Sequence, residues 1–178
     1  VVNPLETSVA AFDRGRVVAT FGSYHLDLTL PGGAVVAMAG TTHVTVSPTH
    51  RRRGILTEMM RRHLEQSIEL GQPVVGLWAS EERIYGRFGY GPATMGQVLV
   101  APDHAFEVTT PDPAITLHEL DVAEARSILP PVYEAARVGM AGALVRTEDW
   151  WNHRHFPDPP SRRGGEGAQR YVMAERGG

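Results

Sequence analysis

The sequence predicts an α/β fold of the α+β type, in which a mixed sheet packs against an amphipathic helix. Short apolar runs between Arg16 and Val46, interrupted by a turn over Pro31 to Gly33, indicate a β-meander. A segment with helical periodicity follows this meander. The apolar run from Val74 to Trp78 then predicts a short buried strand.

The strands of the meander are bounded by turn residues and by breaks in the apolar pattern. We expect strands over Val17 to Tyr24, Leu26 to Leu30 and Val35 to Met38. A further strand ends with Val44 and Val46, which alternate with a threonine as in a half-buried strand. A proline then ends the ladder of hydrogen bonds.

An amphipathic helix is predicted after this last strand. Apolar residues recur there at intervals of three and four positions, which places them on one face of a helix. They are Leu56, Met59, Met60, Leu64 and Ile68. Gly71 is expected to end the helix, and the hydroxyl of Thr49 is a candidate cap for its unpaired amides.

Three consecutive arginines, Arg51, Arg52 and Arg53, lie where the strand gives way to the helix. A helix N-terminus carries roughly half a positive charge and several unpaired N–H groups, so cations clustered there are repelled unless an anion lies between them. Gly54 follows, and the lack of a side chain would let a phosphate approach the backbone. The arrangement therefore predicts a phosphate-binding site.

Two familiar nucleotide-binding patterns are absent from the sequence. The phosphate-binding loop that ends in Gly-Lys-Ser/Thr requires a lysine. The chain has no lysine, since its 17 Lys and Arg residues are all arginines. The glycine-rich run from Gly86 to Gly91 has the wrong order for a dinucleotide fingerprint. Neither pattern therefore supports an activity in nucleotide hydrolysis or in hydride transfer.

The arginine segment resembles the acyl-CoA signature of the GNAT acetyltransferases, Gln/Arg-x-x-Gly-x-Gly/Ala. It runs here from Arg51 to Leu56, with leucine at the last position, where the general pattern has glycine or alanine. A second motif, from Ala79 to Gly91, makes the chain similar to the Eis (enhanced intracellular survival) branch of that family. The resemblance is close from Val44 to Thr94 and is weaker elsewhere.

The resemblance implies that acetyl-CoA is bound as the acyl donor. Strand backbone would hold the pantetheine arm, helix-start amides would hold the pyrophosphate, and the arginine side chains would add charge. The implied cofactor-binding residues are Val44, Val46, Arg51, Arg52, Arg53, Gly54, Ile55, Leu56, Thr57, Ser80 and Glu81. The last two are expected at the end of the strand predicted from Val74 to Trp78.

Tyr85 matches the catalytic tyrosine of the family. A phenol with a pKa near 10 is protonated at neutral pH and can give its proton to a thiolate of pKa about 8.5. In the family the general base is the carboxylate at the end of the full-length chain, which Gly178 does not match, so Glu81 or water remains open for that role. A purely structural Tyr85, packed in a glycine-rich turn, is the alternative. Tyr90 is a poorer candidate, because its flanking glycines suggest an aromatic ring packed in a tight turn.

The resemblance also implies the domain organisation. Residues 1–103 would form an N-terminal GNAT acetyltransferase domain lacking its first elements, closed by a strand near Met95 to Val100. Residues 104–178 would begin a second, truncated GNAT-like domain. We expect a strand over Ile115 to His118, a helix near Val122 to Arg137 that is disturbed by its two internal prolines, and another helix over Thr147 to His155, followed by a mobile surface loop over Pro157 to Gln169. The chain is therefore expected to be incomplete at both ends.

Composition narrows the class of protein. The chain has 178 residues, is 42% hydrophobic, carries a net charge of −3 and has no apolar run long enough for a bilayer, which predicts a cytoplasmic protein. The absence of cysteine excludes thiol catalysis and thiolate metal sites. No metal site is predicted, because His153 and His155 point apart on their helix, and His43, His50 and His63 have no evident serine or aspartate partner for a hydrolytic triad.

The predicted activity is acetyl-CoA-dependent N-acetylation of primary amines, with aminoglycosides, polyamines or lysine side chains as acceptors. By resemblance the protein would be a homo-oligomer, a hexamer. Nucleic-acid binding through the arginines is a weaker alternative, because acidic residues outnumber basic ones by 20 to 17. A non-catalytic acetyl-CoA-binding or assembly module is a third possibility.

Overall fold

A computed structural model describes residues 5–95 and 112–177. Its strands are β1 Val9–Asp13, β2 Arg16–Thr29, β3 Val35–Val46, β4 Val74–Leu77, β5 Ile115–Leu120 and β6 Tyr171–Arg176. Its α-helices are α1 Ile55–Glu69, α2 Val122–Arg137 and the single turn α3 Glu148–Trp150, which continues as a π-helical turn over Trp151–His155.

The first sheet has the strand order β1-β2-β3-β4. The first two pairings are antiparallel and the third is parallel, so the sheet is mixed as predicted. The α1 helix connects the two parallel strands, which is the connection that a parallel pair requires. The mixed α/β architecture predicted from the sequence is confirmed.

Strands β2 and β3 are longer than predicted. The expected breaks at His25 and after Met38 are wrong, because the two strands pair without interruption from Tyr24 opposite Gly40 to Thr29 opposite Val35. Only the turn after Thr29 interrupts the meander. A shift in register occurs instead between Thr20 and Gly22.

The buried face of α1 differs from the predicted one. Met59 and Met60 are buried, but Ile68 is 77% exposed and the stripe continues through His63 and Ser67. These two polar residues can be buried because each has a hydrogen-bond partner: the Ser67 hydroxyl donates to the His63 carbonyl at 2.8 Å, and the His63 ring contacts Thr41.

The second unit is built from β5, α2 and β6. The strands pair antiparallel, and a buried cluster of Leu120, Ala125, Trp151, Phe156 and Tyr171 packs beneath α2. The bounds of α2 agree with the prediction, and the helix continues through its two internal prolines. The predicted third helix begins at its threonine cap but becomes π-helical after one turn.

A short segment of the second unit pairs with the far end of β2. The amide of Thr29 donates to the Ala143 carbonyl at 2.9 Å, and the amide of Gly142 donates to the Thr29 carbonyl at 2.8 Å. The buried guanidinium of Arg137 also donates to the Thr29 hydroxyl at 2.7 Å. The first sheet and the second unit are therefore joined through Thr29.

Two predictions fall outside the described residues. The strand predicted from Met95 to Val100 is described only at Met95, which is exposed and not part of a strand. The domain boundary at residues 103 and 104 also lies outside them and stays a prediction. In residues 5–95 and 112–177, no helix has the length and apolar composition needed to cross a bilayer.

Candidate functional site

The two parallel strands part after Thr41. Pairing between β3 and β4 ends at Thr41 opposite Leu77, whereas β3 runs on to Val46. Among the described residues, no strand pairs with the edge of β3 that faces away from β2 beyond this point. Its backbone groups near Val44 and Val46 are therefore available to an extended ligand, as predicted for the pantetheine arm.

The turn before α1 differs from the predicted capping arrangement. Thr49 lies in a 3-10 turn over Pro48–His50, where its hydroxyl contacts the His50 Nδ1 at 2.8 Å. Because α1 begins only at Ile55, with Gly54 at the N-cap position and no side-chain cap, the prediction that Thr49 caps this helix is wrong. The helix start is left without any side-chain acceptor.

The side chains of the three arginines of this turn are exposed. In the part of the chain that the structure describes, no carboxylate forms an ion pair with Arg51, Arg52 or Arg53. In the same described residues, the backbone amides of Gly54 to Thr57 donate no hydrogen bond. Charges and amides are thus free to bind an anion.

The backbone of the turn is left-handed at two positions, and this conformation is strained only at the non-glycine residue Arg52. Arg52 has a φ of 61° and Gly54 a φ of 79°, both in the left-handed region. A Cβ added to Gly54 would meet no atom within 4 Å, so the protein itself requires glycine there for its backbone conformation and not for space. Strain of this kind persists where the surrounding structure imposes it, and it is common at ligand sites.

One apolar cluster brings several candidate residues together. It is formed by the buried side chains of Ala19, Phe21, Met59 and Met60. The half-buried residues packed against it include Val44, Val46, Ile55, Leu56, Tyr85, Phe88 and Tyr90. The candidate catalytic tyrosine therefore packs on the same cluster as the strand and the helix start that are predicted to hold acetyl-CoA.

Tyr85 lies between two 3-10 turns, Glu82–Ile84 and Gly86–Phe88. Its carbonyl accepts a hydrogen bond from the Phe88 amide at 2.9 Å, which fixes the backbone next to the ring. Partial burial raises the pKa of the Tyr85 phenol, and the negative charge of Glu81 raises it further. The phenol is therefore protonated at neutral pH, as a proton donor must be.

Ser80 and Glu81 lie further from the sheet than predicted. They were expected at the end of the strand, but β4 ends at Leu77 and both residues are exposed in the bend that follows. The Glu81 carbonyl accepts a hydrogen bond from the Ile84 amide at 3.2 Å and starts the turn that carries Tyr85. Strand β4 ends at Leu77 because its hydrogen bonds to β3 end there.

Sequence reasoning missed a buried polar network beside Tyr85. His63 is 1% exposed, and its Nε2 lies 2.9 Å from the Thr41 Oγ1, which in turn lies 3.4 Å from the Tyr90 hydroxyl. Burial lowers the pKa of His63 to about 4, so the ring is neutral at pH 7. The sequence signal was the helical period, which places His63 one turn after Met59. The partner of His63 is Thr41, and not the serine or aspartate that a hydrolytic triad requires.

Three further histidines contact groups outside the candidate site. His50 Nε2 lies 3.0 Å from the Asp13 carboxylate, so the expectation that His50 has no aspartate partner is wrong. His153 contacts the Asp149 carbonyl through Nδ1, and His155 Nε2 accepts from the Trp150 indole at 3.1 Å. Across residues 5–95 and 112–177, no three histidine or acidic side chains are grouped to hold a metal ion.

A cleft of about 680 Å³ lies in the second unit, away from the candidate site. Its lining includes Tyr133, Arg146 and Trp151, with the Arg146 guanidinium stacked 3.7 Å from the centre of the Tyr133 ring. None of the predicted cofactor-binding or catalytic residues lines it. The predicted acetyl-CoA residues lie instead on β3, at the start of α1 and in the segment that leads to Tyr85.

Comparison with known proteins identifies the family. The profile of the Acetyltransferase (GNAT) domain matches residues 3–93. A Streptomyces griseus protein named as an uncharacterized N-acetyltransferase is 39% identical over 162 residues, which cover 88% of this chain and 39% of the relative. The N-acetyltransferase Eis of Mycobacterium tuberculosis is 37% identical over 132 residues, covering 71% of this chain and 33% of Eis.

Solved structures agree with the fold. Eis1 from Mycobacterium abscessus superposes with a TM-score of 0.64 at 36% identity, covering 84% of this chain and 38% of Eis1. A probable N-acyltransferase from Enterococcus faecalis gives a TM-score of 0.69 at 14% identity, which bears on the fold alone.

The chain spans about two fifths of the length of the Streptomyces griseus relative. GNAT enzymes are acyltransferases that use acetyl-CoA as acyl donor, and the unpaired arginines and amides before α1 suit the phosphates of that donor. The profile covers about half of the chain, from the first strand through the Tyr85 turn, and on this match the chain belongs to the GNAT acetyltransferase family.

Proposed function

We propose that this chain carries the acetyl-CoA site and the proton donor of an N-acetyltransferase that acts on primary amines. The observation that carries the proposal is the start of α1, where three arginines and several backbone amides have no partner among the described residues and lie beside an edge of β3 that is likewise unpaired there. The arginines and amides suit the pyrophosphate, and the strand edge suits the pantetheine arm.

Tyr85 is the proposed proton donor. The amine nitrogen attacks the thioester carbon, the carbon–sulfur bond breaks, and the Tyr85 hydroxyl gives its proton to the departing thiolate. Its raised pKa keeps that proton in place until the thiolate forms. The amine loses its own proton to a base that stays open: Glu81, water, or a carboxylate elsewhere in the complete protein.

The proposed acceptors are cationic amines. The exposed carboxylates of Glu81 and Glu82 lie in the segment that leads to Tyr85 and would attract such a substrate. Aminoglycosides, polyamines and lysine side chains all meet this description, and the resemblance to Eis favours aminoglycosides. We also propose the two-domain division at residues 103 and 104 and a homo-oligomer, a hexamer, by the same resemblance.

The test is a thiol-release assay on the complete protein with acetyl-CoA and a panel of amines that includes neomycin and spermine. Replacing Tyr85→Phe should lower kcat by about 100-fold, because general acid catalysis contributes at least that much, and should leave acetyl-CoA affinity unchanged. Tyr24→Phe is the matched control, since it removes a phenol hydroxyl from a ring that contacts Trp150.

Two outcomes would contradict the proposal. Unchanged turnover in Tyr85→Phe at saturating substrates means that another group donates the proton. Tight binding of acetyl-CoA by the complete protein, without transfer to any amine of the panel, would favour the non-catalytic binding module.

A further inference from the structure

We propose that Tyr90 is a positioning residue for Tyr85 and that Thr41 and His63 hold it in place. This inference deepens the proposed function, since it rests on Tyr85 as the proton donor. It assigns a role to a tyrosine that the sequence motif alone marks as a packed aromatic.

The contacts form a continuous path from the core to the Tyr85 ring. His63 lies on α1 with its ring 4.4 Å from that of Phe21, and its Nε2 is 2.9 Å from the Thr41 hydroxyl. The same hydroxyl is 3.4 Å from the Tyr90 hydroxyl. The Tyr90 and Tyr85 rings then pack edge to face, with their centroids 5.9 Å apart and an angle of 64° between their planes.

Thr41 lies at the point where three elements of the candidate site meet. Thr41 is the last residue of β3 that pairs with β4, so its side chain lies where the two strands separate. Through one hydroxyl it connects the sheet, α1 and the turn that carries Tyr85. A movement of Tyr90 would therefore shift the Tyr85 ring relative to the open edge of β3.

The turn between the two tyrosines is short and closed. The Tyr90 amide contacts the Tyr85 carbonyl at 3.4 Å, and Gly89 adopts a φ of 90° to allow the reversal. The two rings thus form one unit, of which the Tyr90 hydroxyl makes the polar contact with the core. Removing that contact leaves the rings packed but frees their joint orientation.

The protonation states are compatible with a static support. His63 is neutral at pH 7 because burial lowers its pKa, and burial raises the pKa of the Tyr90 phenol. The Thr41 hydroxyl can donate to His63 and accept from Tyr90, or accept from His63 and donate to Tyr90. Both arrangements satisfy all three groups without a net charge.

The experiment uses turnover of the complete protein with acetyl-CoA and the best amine of the panel. Tyr90→Phe keeps the ring and removes the hydroxyl, and Thr41→Val removes the same contact from the other side. Each should lower kcat by about 10-fold with little change in acetyl-CoA affinity. A shift of about 1 Å in a reacting group can reduce the rate by about 100-fold, so a smaller shift of the Tyr85 hydroxyl should reduce it less. Thr41→Ser, which keeps the hydroxyl, should restore most of the turnover.

A Tyr85→Phe background separates positioning from general packing. If Tyr90 acts through Tyr85, adding Tyr90→Phe should cause no further loss of turnover once the donor hydroxyl is gone. An equal further loss in that background would overturn the inference, because a packing defect harms the enzyme whether or not Tyr85 can donate. Thermal midpoints of all variants report any packing defect directly.

The outcomes distinguish this inference from the proposed function. Full turnover in Tyr90→Phe beside impaired Tyr85→Phe overturns the positioning role alone. Full turnover in Tyr85→Phe contradicts the proposed proton donor itself. Loss in Tyr90→Phe and Thr41→Val, recovery in Thr41→Ser and no further loss in the Tyr85→Phe background would support the inference.

Discussion

The helices α1 and α2 begin in opposite ways. In α2 the Asp121 carboxylate accepts from the Glu124 amide at 2.9 Å, and the Glu124 carboxylate accepts from the Asp121 amide at 2.9 Å. This capping box satisfies the helix start internally. At α1, Gly54 provides no cap and three arginines precede it. The helix with a structural role is closed by its own side chains, whereas the helix of the candidate site is left open.

The two helices also bury different polar groups. His63 of α1 is buried with only the Thr41 hydroxyl as partner and remains neutral. Arg137 of α2 is buried with a carboxylate partner, Glu134, and also donates to the Thr29 hydroxyl. A buried arginine keeps its charge because it is paired, and a buried histidine without a carboxylate gives up its proton. Acid should therefore act on α1 much more than on α2.

The largest expected effect is a loss of stability in mild acid. The pKa of His63 is about 4 in the folded state and about 6.5 when unfolded, so the unfolded state binds the extra proton between these values. The stabilisation that neutral, buried His63 gives to the folded state is therefore complete above pH 6.5. As the pH falls towards 4, the free energy of unfolding decreases by up to about 3 kcal/mol. Urea unfolding of the protein between pH 7.5 and pH 4.5 measures it.

His63→Gln is the control for this prediction. The amide can still bond to Thr41 but does not titrate, so the variant should lose less stability than the parent over the same pH range. If the parent and the variant lose stability equally, His63 is not the group responsible.

The second prediction concerns the anion site. The double replacement Arg52→Ala and Arg53→Ala should weaken acetyl-CoA binding by about 100-fold, as expected for two lost charge-assisted hydrogen bonds. Titration calorimetry measures the affinity. Arg61→Ala with Arg62→Ala is the control, since it changes the net charge by the same amount but within α1, where both arginines pair with Glu58. Equal affinities in the two double variants would remove the phosphate argument.

The smallest effect is expected at the capped helix. Asp121→Ala should lower the free energy of unfolding by about 1 kcal/mol, the usual cost of losing an N-cap. Acetyl-CoA affinity should be unchanged, because this helix start is already satisfied within the protein. Asp121→Asn, which keeps a capping oxygen, should retain most of the stability. A clear loss of acetyl-CoA affinity in Asp121→Ala would break the contrast between the two helix starts.

Features with a local cause were predicted well from the sequence. The bounds of α2 agree because its helical period and its end lie within one continuous segment. The three arginines do lie between a strand and a helix, as their neighbours in the sequence predicted. Predictions failed where residues far apart in the sequence determine the structure. Breaks were expected within β2 and β3, but the hydrogen bonds between these two strands keep both of them continuous.

By itself, the sequence determined the amphipathic helix α1, the bounds of α2 and the position of the cationic turn between a strand and α1. These follow from residue spacing and from backbone preferences, which act over a few positions. The tertiary structure alone decided that His63 is buried and that Thr41, 22 residues before it and 49 before Tyr90, joins the two. Such contacts depend on the register of the strands and on the rotation of α1, and no local pattern encodes either.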